Sequence, residues 1–168
     1  MLSRSFQSDI SDLMYYFECA REKLSYRLES IVETVNGLDF VPPAQLYQNL
    51  AGIKGEQWID LFHEMDRTTE YEFLLLDLTE GVLDLWDVLR SCDRVYTISR
   101  DDGLAKAKIE QYERALEAMD YGDISAKTTK WKLPIFQELP ARFEELTYGE
   151  LAAYIKRQVF PELLGTRD

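Results

Sequence analysis

The apolar positions of this chain fall into helical stripes separated by short apolar runs. Ile10, Leu13, Met14 and Phe17 lie on one face of a 3.6-residue period and predict a first helix, with Ser8 as its cap. Leu24, Leu28, Ile31, Val32 and Val35 predict a second helix, stopped by Asn36-Gly37, a pair that tolerates the left-handed region. Leu38 to Val41 reads as a short strand closed by Pro42-Pro43. Helices are expected at 44–50 and at 55–67, the latter burying Trp58, Leu61, Phe62 and Met65. Tyr71 to Asp77 holds four consecutive apolar residues, Phe73-Leu74-Leu75-Leu76, and predicts a strand covered on both faces.

After a turn at Thr79-Glu80-Gly81, the pattern predicts a helix on Val82, Leu85, Trp86 and Leu89 and a strand from Arg94 to Ser99. A long helix from Asp101 to Met119 and a last strand from Trp131 to Phe136 follow. Thr147 and Glu150 have the spacing of a capping box, flanked by Leu146 and Leu151 as a staple, and predict a C-terminal helix over 147–160. Strands separated by helices of this length imply βαβ units. The expected fold is therefore α/β: one domain over 1–168, an incomplete three-layer αβα sandwich, Rossmann-like, on a mainly parallel sheet of about four strands.

Composition narrows the function. The 19 Lys and Arg against 31 Asp and Glu give a net charge of −12, the wrong sign for tracking nucleic-acid phosphates. The two cysteines, Cys19 and Cys92, make no disulfide framework, and no apolar run approaches the ~20 residues that span a bilayer. A cytoplasmic protein is expected. His63, the single histidine, sits mid-helix with no Cys or His at ligand spacing, so no catalytic or metal role is expected of it. Cys92 reads as a packing residue, and Asp101-Asp102 as a helix cap in preference to a magnesium-binding pair. Glu80 reads as a turn residue in preference to a water-positioning carboxylate. The aromatics Trp58, Trp86, Trp131 and Tyr15-Tyr16-Phe17 are core candidates.

The carboxyl ends of parallel strands are where ligands gather in such folds, and Asp77 follows its apolar run at one of them. A rigid carboxylate there is the Walker B pattern, which orients a water on magnesium beside phosphates. The block from Tyr71 to Gly81 resembles the Walker B segment of MinD/ParA-type ATPases. The run Cys92-Asp93-Arg94-Val95-Tyr96-Thr97-Ile98, the following long helix, and Gly37 to Pro43 are similar to the family's later blocks and to its proline-terminated strand. The preamble Ser8 to Tyr16 resembles TadZ/CpaE-like members, linked to tight-adherence pilus assembly.

The resemblance covers about residues 5–160 and implies a localisation or assembly factor acting through protein contacts. It implies Asp77, Thr79, Glu80 and Gly81 as the nucleotide-side residues, with Asp77 as the metal position and no catalytic residue assigned. Thr79 stands where that family often has proline. No G-x-x-x-x-G-K-[ST] phosphate loop occurs in these residues, so this chain alone is not expected to hydrolyse ATP or hold a cofactor. Mg-ATP is expected only if a P-loop is supplied by an N-terminal part; that alternative makes the chain the C-terminal fragment of an active ATPase. A receiver-like regulatory module, with Asp77 as phosphoacceptor, is the remaining alternative. The expected partners are proteins, a second copy or pilus-assembly components; no nucleic acid is expected, and a membrane only indirectly.

Overall fold

A computed structural model of the chain describes residues 6–79, 81–100, 102–138 and 140–165. Helix α1 (Ile10–Cys19) is capped by Asp9 and not by Ser8. The Asp9 carboxylate accepts from the Ser11 amide at 2.8 Å, while Asp12 accepts from the Asp9 amide at 2.9 Å, so two orphan donors are satisfied reciprocally. Asp9 also accepts from the Gln45 amide at 3.1 Å, and the Ile10 amide donates to the Pro42 carbonyl at 2.9 Å, which fastens the Pro-Pro loop to the start of α1.

Helix α2 (Leu24–Ile31) buries Leu24, Leu28 and Ile31, and then stops short of the expected end at Val35. Val32 is already extended, and Glu33–Val35 forms β1, which pairs antiparallel with β2 (Leu38–Phe40). Asn36 and Gly37 have φ of 52° and 81°, the two left-handed positions of a tight hairpin turn. The β-branched Val32, Thr34 and Val35 favour that outcome over another helical turn.

Helix α3 (Gly55–Thr68) buries Trp58, Leu61 and Met65 against α1 and α2. Only a short 3-10 turn, Tyr47–Asn49, stands where a helix over 44–50 was expected. Helix α4 (Leu85–Ser91) starts three residues later than Val82 and joins two cores. Val88 packs with Leu13, Leu28 and Leu61, while Trp86 and Leu89 pack on a second cluster of Val95, Leu116 and Ile124.

That second cluster lies in β3 (Val95–Arg100), α5 (Gly103–Ala118), α6 (Gly122–Ala126) and β4 (Thr128–Leu133). β3 and β4 run parallel, in register from Val95↔Thr128 to Arg100↔Leu133, and Tyr96 stacks on Trp131 at 4.3 Å. The last strand thus sits three residues earlier than Trp131–Phe136. Pro134, without an N–H, ends the ladder although the apolar run continues to Phe136.

The chain is mixed α/β, with a small parallel sheet of two strands and a separate two-stranded hairpin among the described residues. The predicted strand at 71–77 does not form. A strand exists only in a ladder, and the one parallel ladder among the described residues joins β3 to β4.

The C-terminal helix is also interrupted. It runs as α7 (Gly149–Tyr154), a π-turn at Ile155–Val159 and α8 (Phe160–Leu164). Pro161 cannot donate to the carbonyl of residue 157, and the wider turn precedes it. The predicted capping box is absent: Tyr148 holds the cap position without a side-chain bond. Thr147 instead accepts from Asn36 at 3.1 Å, and Glu150 accepts from the Gln137 amide at 3.3 Å.

Candidate functional site

The residues that carry the Walker B resemblance lie in the irregular stretch between α3 and α4. Tyr71 opens it. Its hydroxyl donates to Asp39 of β2 at 2.9 Å, and Asp39 also accepts from Thr34 of β1. These two bonds, from Thr34 first, hold the Asp39 carboxyl below its ordinary value. Burial, the hydrogen bond to Asp39 and the charges of Asp39 and Glu29 push the Tyr71 phenol up. The hairpin therefore pins the start of the segment.

Beyond Tyr71 the apolar run stands open to water. Phe73, Leu74 and Leu75 are 43%, 41% and 69% exposed. Burial then alternates: Leu76 and Leu78 are half-buried against the helical core, while Asp77 and Thr79 are exposed. Period-two burial is what a strand shows when one face is seated and the other is not. No backbone hydrogen bond joins Leu74 to Leu78 with any described residue. The Thr79 carbonyl accepts from the Val82 amide at 3.2 Å, which makes the turn. Asp84, with φ of 53°, then ends it by accepting from the Gly55 amide at the N-terminus of α3, at 3.1 Å.

Asp77 and Thr79 are both exposed, with the half-buried Gly81 in the turn beyond. Glu80 lies outside the described residues. Among the described residues, no group of three or more His, Cys, Asp or Glu side chains is arranged to hold a metal ion. A magnesium ion at Asp77 would therefore draw its other ligands from water and phosphate.

Most of the remaining candidates pack or cap, but Tyr15, expected in the core, is 62% exposed. His63 is exposed on α3. Cys92 is half-buried and donates to the Val88 carbonyl at 3.3 Å, and burial pushes its thiol up, away from the reactive thiolate. Asp102 caps α5 by accepting from the Ala105 amide at 2.8 Å, and Asp101 lies outside the described residues. Trp58 is buried, and Trp86 and Trp131 are half-buried. No helix among the described residues is long and apolar enough to cross a membrane.

A shallow groove of about 710 Å³ lies beyond the carboxyl end of β4, floored by Pro134, Phe136, Ala153 and Tyr154. Its two charged side chains are engaged within the chain. Arg157 donates to the Ala153 carbonyl at 3.1 Å, and Glu150 holds the Gln137 amide. The edge contributed by Thr34 and Asp39 was not foreseen from the sequence, although Asn36-Gly37 between β-branched and apolar residues carries its signal.

No protein-family model matches the sequence, and no curated protein or solved structure matches it either.

Proposed function

We propose that this chain is a MinD/ParA-like, TadZ/CpaE-like protein without its phosphate loop. It works in the cytoplasm as a localisation or assembly factor for a tight-adherence pilus or secretion system. The observation that carries a protein-contact role is the exposed apolar run Phe73–Leu75, continued by backbone from Leu74 to Leu78 that has no ladder. Apolar surface left beside unpaired peptide groups is a site for another chain. In this reading Asp77 is the remnant magnesium position, Thr79 and Glu80 are nucleotide-side residues, and Gly81 is the turn that lets phosphates approach. The incomplete αβα sandwich of about four strands belongs to the assembled state, in which residues 72–77 gain a ladder neighbour beside the β3–β4 pair.

One carboxylate cannot retain a nucleotide whose phosphates carry about four negative charges, least of all on a chain at −12. The chain alone is therefore expected to give no micromolar binding of Mg-ATP in calorimetry. Co-expressed with the assembly proteins of a tight-adherence pilus system, it is expected to retain at least one of them through purification. Micromolar Mg-ATP binding, or retention of none of those proteins, overturns the reading. A supplied P-loop segment that restores hydrolysis would favour the split-ATPase alternative, because such a segment paired along Leu74–Leu78 ends near Asp77.

A further inference from the structure

β3 has an open edge. The Val95 amide donates to the Lys127 carbonyl at 3.1 Å, so Val95, Thr97 and Ser99 turn their peptide groups toward β4. The amides and carbonyls of Tyr96 and Ile98 point the other way and bond to no described residue. Parallel strands are ordinarily covered, yet the Ile98 side chain is 59% exposed.

Helix α4 is seated on both sides of the gap between this edge and the irregular segment before it. Val88 belongs to the helical core on which Leu76 and Leu78 rest, while Trp86 and Leu89 pack on the cluster that holds Val95. Sixteen residues, 79–94, separate Leu78 from Val95 and contain α4. That is the length of a crossover between neighbouring parallel strands.

The alternation of the two segments agrees as well. Val95 faces the helices and directs its peptide groups toward β4. Every strand of a parallel sheet repeats that relation between face and edge. A strand on the far side of β3 therefore aims the peptide groups of its helix-facing residues at β3. In the segment those residues are Leu76 and Leu78, with Leu74 in phase.

We propose that Leu74–Leu78 is a strap that closes on the open edge of β3 as a third parallel strand. Leu74 lies beside Val95, Leu76 beside Thr97 and Leu78 beside Ser99. The amides of Leu76 and Leu78 donate to the carbonyls of Tyr96 and Ile98, and the amides of Tyr96 and Ile98 donate to the carbonyls of Leu74 and Leu76. On the outer face Leu75 meets Tyr96, and Asp77 meets Ile98 with Arg100 on its diagonal. Asp77 and Arg100 are exposed, and neither has an ion-pair partner among the described residues. Their opposite charges favour this register. The peptide groups of Leu75 and Asp77 remain on the new outer edge, free for the partner of the protein-contact reading, but closure itself needs no partner.

The test uses the whole chain alone. In amide hydrogen exchange, Leu76, Leu78, Tyr96 and Ile98 are expected to be protected about tenfold over Leu75 and Asp77. Arg100→Glu, at an exposed position, is expected to cut that protection about threefold. For a second readout, Asp77→Cys and Ile98→Cys are combined in a background of Cys19→Ser and Cys92→Ser. Neighbouring strands lie about 4.8 Å apart, within the span of a disulfide, so mild oxidation is expected to join the pair within one chain. Leu75→Cys with Ile98→Cys sets the thiols on a diagonal and is expected to oxidise about tenfold more slowly.

Rapid exchange at all six amides, or protection of Leu75 and Asp77 in place of their neighbours, overturns the proposal. So do equal oxidation of the two pairs, a disulfide formed only between copies, and unchanged protection in Arg100→Glu. Co-purification with an assembly protein is read separately, so either inference can fail alone.

Discussion

Gly55 is the point at which the open segment is clamped to the helical core. It is the first residue of α3, and its amide donates to the Asp84 carboxylate at 3.1 Å, so a residue far along the chain serves as the helix's cap. A Cβ built on Gly55 would stand 2.6 Å from the Asp84 Cβ and 3.1 Å from the Asp84 carbonyl oxygen. Restoring an ordinary contact of about 3.6 Å requires Asp84 to retreat by about 1 Å. The amide–carboxylate distance then passes beyond hydrogen-bond range.

Overpacking of this kind costs about 1–3 kcal/mol, and the lost charge-assisted bond adds about 1 kcal/mol. The gain in helix propensity on replacing glycine by alanine returns at most about 1 kcal/mol. Gly55→Ala is therefore expected to destabilise by about 1–3 kcal/mol, which lowers Tm by roughly 3–10 °C in a chain of this size. Gly103 supplies the control. It is the first residue of α5, follows a cap at Asp102, and has open space where its Cβ would lie. Gly103→Ala keeps the propensity gain without the clash, so it is expected to be neutral or stabilising. Urea denaturation decides between them, with the midpoint shifting at constant slope. If the two variants agree within about 0.5 kcal/mol, the clamp between α3 and the Asp84 turn does not exist as described. The double variant Gly55→Ala, Asp84→Gly should cost less than the sum of its parts, because it removes one of the two clashing groups.

Acid is expected to unfold the chain through specific carboxylates. Glu64 is held below its usual value of 4.5 chiefly by the Arg67 hydrogen bond, and Asp123 below its usual 3.8 chiefly by Arg90. At Asp9 burial acts to raise the value, but hydrogen bonds from Ser11, Gln45 and Asp12 together leave it lowered. Depressed folded-state values mean that this stability is fully present above the usual values and is lost as pH falls through the lower ones. Urea midpoints should stay level above about pH 5 and fall below it, with Glu64→Gln converging on the parent chain in acid; a flat profile down to about pH 3 would contradict this.

Lys127 donates to the Arg90 carbonyl at 2.6 Å and to the Cys92 carbonyl, closing the C-terminus of α4. Lys127→Met should cost about 1 kcal/mol and speed labelling of Cys92, in a Cys19→Ser background, at a pH high enough to ionise the thiol, where loss of the Lys127 charge that holds the thiol down no longer matters. Unchanged labelling would show that Cys92 is not shielded by that end of α4.

The parts of the fold legible in the sequence are those fixed by nearby residues. The stripe Trp58, Leu61 and Met65 gave α3, and the pattern around Leu116 gave α5, because a helix satisfies its own backbone and needs only one apolar face. The errors occur where one local signal serves two structures. Asn36-Gly37 suits both a helix end and a hairpin turn, and the β-branched Val32, Thr34 and Val35 decide for the hairpin. The apolar run through Trp131 continues past Leu133 in composition, but Pro134 forbids the ladder. Asp9 displaced Ser8 as cap because the Pro42–Gln45 loop supplies it with a further donor, a contact that no window of local sequence contains.

Residues 71–78 mark a different kind of limit. Their composition demands a strand, and their seated face shows the period of one, yet a strand's existence depends on a neighbour and not on its own residues. In a minimally frustrated chain, local preference and global structure agree, and a persistent disagreement locates a functional site. Here the disagreement has a direction. Leu76 and Leu78 are satisfied by the core, whereas Leu75 and the backbone from Leu74 to Leu78 are satisfied by nothing else in the described chain. Burying Leu74 and Leu75 is worth about 1.5–3 kcal/mol for each side chain. A ladder formed with an incoming chain exchanges peptide–water for peptide–peptide hydrogen bonds, so it adds geometry more than affinity. In such a contact the apolar pair supplies the driving force and the backbone the geometry.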